Sequence, residues 1–74
     1  MNKEVFRIIR LARGYTQREL AEKLGVSYGL VAQIEAGNKK ISARVARKFM
    51  EVCNVTDDDL LNARHLLNRK GESK

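Results

Sequence analysis

Apolar residues recur at helical spacing along the whole chain, and strict apolar–polar alternation is absent. The pattern predicts five helices with legible stops and starts. The first runs from about Lys3 to Arg13 and ends at Gly14. Thr16 and Glu19 stand at capping-box spacing, with Tyr15 and Leu20 as a hydrophobic staple, and open a second helix over about Gln17 to Leu24 that stops at Gly25. Ser27 caps a third helix, about Tyr28 to Glu35, with Val26 and Val31 as staple, and Gly37 ends it. A polar, basic loop, Asn38-Lys39-Lys40-Ile41, leads to Ser42, the cap of a fourth helix over about Ala43 to Cys53. Thr56 caps the fifth, about Asp57 to Asn68, whose first turn carries Asp57, Asp58 and Asp59, suited to the positive end of the helix dipole. The expected organisation is one compact all-α domain over residues 1–68, followed by a flexible C-terminal tail over 69–74.

Only Gly25-Val26-Ser27 separates the second and third helices, so the two must cross steeply, as in a helix-turn-helix. Gly25 supplies a positive φ that a side chain would penalise. Ala21 is small where the helices approach, and Leu20, Leu24, Val26, Val31 and Ile34 can fill the angle between them. On a helical wheel, Leu30, Val31 and Ile34 of the third helix share an apolar stripe about 100° wide. Tyr28, Gly29, Ala32 and Gln33 fall on the other face, with no Lys, Arg or Asp among them. An ordinary solvated face carries charge. This one is small and neutral with hydrogen-bonding ends, a surface that fits a DNA major groove. A glycine in the first turn of a helix needs a reason, and close approach to a partner is one.

Composition narrows the functions. The chain has 74 residues, with 43% apolar and 32% charged, which suits one small globular domain. A single cysteine, Cys53, and a single histidine, His65, leave no intrachain disulfide and too few ligands for a Cys/His metal cluster. Cys53 reads as a buried thiol and His65 as a surface residue. No apolar run approaches the roughly 18 residues that span a membrane, and the first residues lack a signal-peptide pattern. The expected setting is cytoplasmic, without cofactor or metal. No nucleophile–base pair or phosphate loop suggests an enzyme. Residues 1–50 hold 11 Lys/Arg and 4 Asp/Glu, whereas residues 51–74 hold 4 and 5. A basic body with a near-neutral end points to a polyanion partner, the blander reading being a solubilising charge.

The stretch Gln17 to Ala36, QRELAEKLGVSYGLVAQIEA, resembles the helix-turn-helix of the phage repressor/Cro group, the XRE family of bacterial regulators. The resemblance rests on Leu20 and Ala21, on Leu24, Gly25 and Val26 at the turn, and on Val31 and Ile34. It extends to the T-Q-x-E-L-A opening at Thr16 to Ala21 and the I-E-x-G exit at Ile34 to Gly37. It implies a repressor-like DNA-binding domain whose third helix enters the major groove. The base-reading or base-approaching positions are then Ser27, Tyr28, Gly29, Ala32 and Gln33. Gln33 suits an adenine and Ala32 a thymine methyl. Where many relatives carry glutamine or another polar residue, this chain has Gly29 and gives up one direct reader. Phosphate contacts are implied for Gln17, Asn38, Lys39, Lys40 and Arg44, with Arg10 also near the DNA. Arg10 and Glu35 are implied as a structural ion pair. Arg18, Lys23, Arg47 and Lys48 read as solvated.

In the fifth helix, Leu60, Ala63 and Leu67 share a stripe with Leu61 and Leu66 on its flanks, together about 220° of arc, more than docking on one core requires. A homodimer interface through Leu61, Leu66 and Leu67 is expected, and with it a palindromic operator. The leading expectation is a sequence-specific transcriptional repressor of double-stranded DNA. The alternative is an antitoxin or adaptor whose main work is binding a protein partner.

Overall fold

The computed structural model describes residues 1–72, with side chains described through Leu67. Five α-helices follow one another: α1 (Lys3–Ala12), α2 (Gln17–Leu24), α3 (Tyr28–Ala36), α4 (Ala43–Val52) and α5 (Asp57–Glu72). Four of the five lie within a residue or so of their expected bounds. The fifth continues beyond Asn68 to Glu72, with no glycine or proline between Asn68 and Gly71 to stop it. Of the tail expected over 69–74, residues 69–72 extend α5, and 73–74 lie outside the described residues.

The helix starts are side-chain caps. Asn2, Thr16, Ser27 and Ser42 each accept a hydrogen bond from the backbone N–H three residues on, which satisfies one orphan donor per helix. Thr16 and Glu19 form the full reciprocal capping box. Thr56 and Asp59 form a second one, with the shorter carboxylate in place of glutamate. Asp59 is therefore a capping residue, and its neighbours Asp57 and Asp58 point outward, exposed.

The helix stops follow one device. After α1, α2, α3 and α4 the chain takes one left-handed residue, and the next N–H donates to a carbonyl five residues back, as Val26 does to Ala21 at 3.0 Å. Gly25 fills that role between α2 and α3, with φ +71°. After α4 the residue is Asn54, with φ 51°. Asparagine tolerates this region better than other side chains, so α4 ends without a glycine.

The core sits where α1 packs on α3 and α5, and α2 packs on α3 and α4. Phe6 of α1 and Phe49 of α4 stack with ring centroids 4.4 Å apart. Around them Ile9, Leu20, Ala21, Val31, Ile34, Cys53 and Ala63 are buried, with Val5 and Leu24 at the edge. Ala21 is 2% exposed, as the close crossing of α2 and α3 demands. Leu60 and Leu67 of α5 are half-buried against this core. Arg13, at the end of α1, ties down the other side of the molecule. Its Nε–H donates to the Cys53 carbonyl at 2.8 Å, and its terminal nitrogen pairs with Asp59 at 2.8 Å. One side chain thus satisfies the end of α4 and holds the start of α5.

Candidate nucleic-acid interface

The exposed face of α3 is built by elimination. Val31 and Ile34 are buried and Leu30 is half-buried, which turns Ser27, Tyr28, Gly29 and Gln33 to solvent with Ala32 half-buried beside them. Tyr28 is 46% exposed at the first position of the helix. A methyl group placed on Gly29 would meet only the Ser27 hydroxyl, at 4.0 Å, so the space above it is open. The fold does not require glycine there.

A polar network fixes this helix to the rest of the domain. Arg10 of α1 donates two hydrogen bonds to Glu35, from Nε at 2.6 Å and from a terminal nitrogen at 2.8 Å, in a side-on bidentate pair. The other terminal nitrogen donates to the Tyr15 carbonyl at 2.8 Å, and the Gln17 amide donates to Glu35 at 3.0 Å. The two charged side chains are 8% and 5% exposed. Burial alone would push the Glu35 carboxyl up. The hydrogen bonds from Arg10 and Gln17, with the charges of Arg10 and Arg7, outweigh it and hold the carboxyl below its ordinary value. Glu35 therefore stays ionised, and α1, the α1–α2 turn, α2 and α3 share one anchor.

This network qualifies two of the expected phosphate contacts. Arg10 is 7% exposed and turned inward, so in the free protein it is a structural cation behind the surface. Gln17 is half-buried with its side-chain amide committed to Glu35, which leaves its backbone N–H, at the first position of α2, as its remaining donor. Asn38, Lys39, Lys40 and Arg44 are exposed on the loop after α3 and the first turn of α4. Lys3 joins them: its Nζ lies 2.8 Å from where a Gly37 side chain would begin, so the start of α1 brings another cation to the end of α3. Nothing local in the sequence signals that approach. At the N-terminal end of α3, the guanidinium of Arg18 lies over the ring of Tyr28, 4.8 Å from its centroid. Arg18 is thus not simply solvated. The two residues come from different helices, so only the α2–α3 crossing brings them together.

The remaining candidates lie elsewhere. Leu61 and Leu66 of α5 are 55% and 51% exposed, whereas Leu67, expected beside them at an interface, packs on its own core. Cys53 is buried, and burial pushes its thiol up against the lowering effect of Arg13, which favours the protonated form. His65 is exposed. Among the described residues no group of His, Cys, Asp and Glu is arranged to hold a metal ion, and no helix is long and apolar enough to cross a membrane.

A family model described as helix-turn-helix matches residues 6–60. An uncharacterized HTH-type transcriptional regulator, YazB, of Bacillus subtilis (strain 168) is 37% identical over 54 residues, which cover 73% of this chain and 78% of that protein. No solved structure matches the chain.

Proposed function

Because this chain belongs to the XRE-type helix-turn-helix family, and is thereby a DNA-binding transcription regulator, we propose that it is a repressor that occupies a palindromic operator as a dimer, with α3 in the major groove. The observation that carries the reading is the exposed face of α3. It carries no charged residue of its own at Tyr28, Gly29, Ala32 and Gln33; Asn38, Lys39, Lys40 and Arg44 follow its C-terminal end, and Arg18 reaches Tyr28 from α2. Small and uncharged hydrogen-bonding residues let a helix come close to base edges, while exposed cations at the rim suit phosphates. Gln33 is assigned to an adenine and Ala32 to a thymine methyl, with Ser27, Tyr28 and the Gly29 backbone at the groove entrance. Asn38, Lys39, Lys40, Arg44 and the backbone N–H of Gln17 take the phosphates, with Arg10 supplying field from behind.

Dimerisation is assigned to α5, where Leu61 and Leu66 leave two large apolar side chains in water. Two copies related by a two-fold axis then present two α3 helices to half-sites about 34 Å apart.

The test is selection of bound duplexes from a random pool, followed by titration of Gln33→Ala and Lys39→Ala on the selected operator. Gln33→Ala is expected to cost roughly 1–3 kcal/mol on that operator and to relax one position. Lys39→Ala is expected to weaken all sequences alike. If both variants bind and repress as wild type while a protein complex fails, the adaptor reading replaces this one.

A further inference from the structure

We propose that Arg18 is a base-reading residue: stacked over Tyr28, its guanidinium reads a guanine at the end of the half-site entered by the first turn of α3. The inference rests on the DNA-binding reading above.

Arg18 is the second residue of α2 and Tyr28 the first of α3. An arginine at that place on α2 ordinarily projects into solvent. Here its guanidinium carbon lies 4.8 Å from the Tyr28 ring centroid, which turns the side chain onto the exposed face of α3. Among the described residues the two ion pairs are Arg10–Glu35 and Arg13–Asp59, so Arg18 stands outside both. Its N–H groups remain available to a ligand while its position is held by the ring. Arg10, Thr16, Gln17, Arg18 and Tyr28 line one open depression beside that face. No carboxylate lines it, so a guanidinium there meets hydrogen-bonding groups and a second cation.

The chemistry selects the base. A guanidinium offers a rigid fork of donors that matches O6 and N7 of guanine, the commonest specific major-groove contact. A long flexible side chain loses conformational freedom when it makes such a contact, and the tyrosine ring has already removed part of that freedom. The open space over the neighbouring Gly29 lets the helix approach until the fork reaches a base edge. A phosphate role fits less well, because stacking on Tyr28 draws Arg18 toward the reading face, whereas the exposed cations Lys39, Lys40 and Arg44 lie beyond the other end of α3. Tyr28 is then a positioning residue for Arg18 as well as a groove contact.

The experiment compares wild type with Arg18→Lys, Arg18→Ala, Tyr28→Phe and Tyr28→Ala in random-duplex selection. Selected and single-substituted operators are then titrated at two salt concentrations, with circular dichroism to establish folding. The expected result is a half-site guanine away from the adenine assigned to Gln33, preferred roughly 10- to 100-fold by wild type. Arg18→Lys loses that preference while keeping the salt dependence, Tyr28→Phe retains it, and Tyr28→Ala weakens it. The proposal is overturned if Arg18→Ala weakens all duplexes equally with a shallower salt slope and Arg18→Lys restores both, the signature of a phosphate contact. It is also overturned if every variant selects the wild-type sequence with wild-type discrimination. If wild type selects no sequence at all, the operator-binding reading fails with it. A selected operator indifferent to Arg18 sinks this inference alone.

Discussion

Gly29 is a residue without a structural debt. Its backbone is ordinary helix, and a side chain there would meet no more than a hydroxyl at 4.0 Å. Gly29→Ala is therefore expected to stabilise the free domain by about 0.5 kcal/mol, read as a higher urea midpoint, because alanine restricts the unfolded chain at no steric cost. If α3 enters the groove as proposed, the same change is expected to weaken operator binding, since the methyl group would occupy the open space at Gly29. Tighter folding with undiminished binding would remove the close-approach explanation. Glu35 is the opposite kind of residue, bound by its neighbours on every side. Its folded carboxyl lies below the ordinary 4.5 of the unfolded chain, so the stability it adds is complete above about pH 4.5 and is lost as pH falls through the lower folded value. Urea midpoints measured across acid pH are expected to fall for wild type, with that part of the profile flattened in Glu35→Gln. Arg10→Met, which leaves the carboxylate buried without its cation, is expected to cost about 3 kcal/mol at neutral pH.

At the level of the helices, what was legible in the sequence was whatever the chain writes locally. Thr16 with Glu19, Ser27, Ser42 and the glycines 14, 25 and 37 act within a turn of their own positions, so spacing alone locates them. Asn54 does the work of a glycine with a residue that usually has other uses, so the end of α4 carried a weaker signal. Arg13 was illegible for a different reason: its partners, Cys53 and Asp59, lie 40 and 46 residues along the chain. The same holds for Arg18 with Tyr28 and Lys3 with Gly37, pairs that exist only once helices have crossed. The Arg10–Glu35 pair, 25 residues apart, is likewise non-local and is expected from the sequence only through family resemblance. Arg13 gives this scale its prediction. Arg13→Met removes the side-chain donor to the Cys53 carbonyl and the cation paired with Asp59, which keeps its Thr56 donors, and loss of the Cys53 bond is expected to lower stability by about 1–2 kcal/mol. Amide exchange is expected to rise in α5 and at the end of α4 while α2 and α3 keep their protection. A uniform rise through the domain would mean that the clamp is no more local than the core.

The net positive charge of the molecule is unevenly placed along the chain. Cations gather over residues 1–50, while the exposed leucines of α5 lie in the near-neutral remainder. Leu61→Glu together with Leu66→Glu is expected to give a monomer in sedimentation at every concentration, with operator affinity reduced to that of a single half-site. A dimer that survives both changes moves the interface elsewhere. With Lys39, Lys40 and Arg44 of each protomer on phosphates, the slope of log K against log salt is expected near about −5 for wild type, and a flat dependence excludes a phosphate-driven complex.

The separation of the two faces of α3 has a consequence for how such a protein can change. Val31 and Ile34 hold the helix in the fold, whereas Tyr28, Gly29 and Gln33 take no part in the core. On the proposed assignment of Tyr28, Gly29 and Gln33 to the operator, foldedness and address are stored in different letters of the same short word. A lineage can rewrite the address one residue at a time without passing through an unstable ancestor, and a designer can graft a new one onto the same backbone. Gln17 is the point where the two stores touch, since its amide holds Glu35 while its backbone N–H is assigned to a phosphate. A regulator of this build can acquire a new operator readily, provided that Gln17 is left alone.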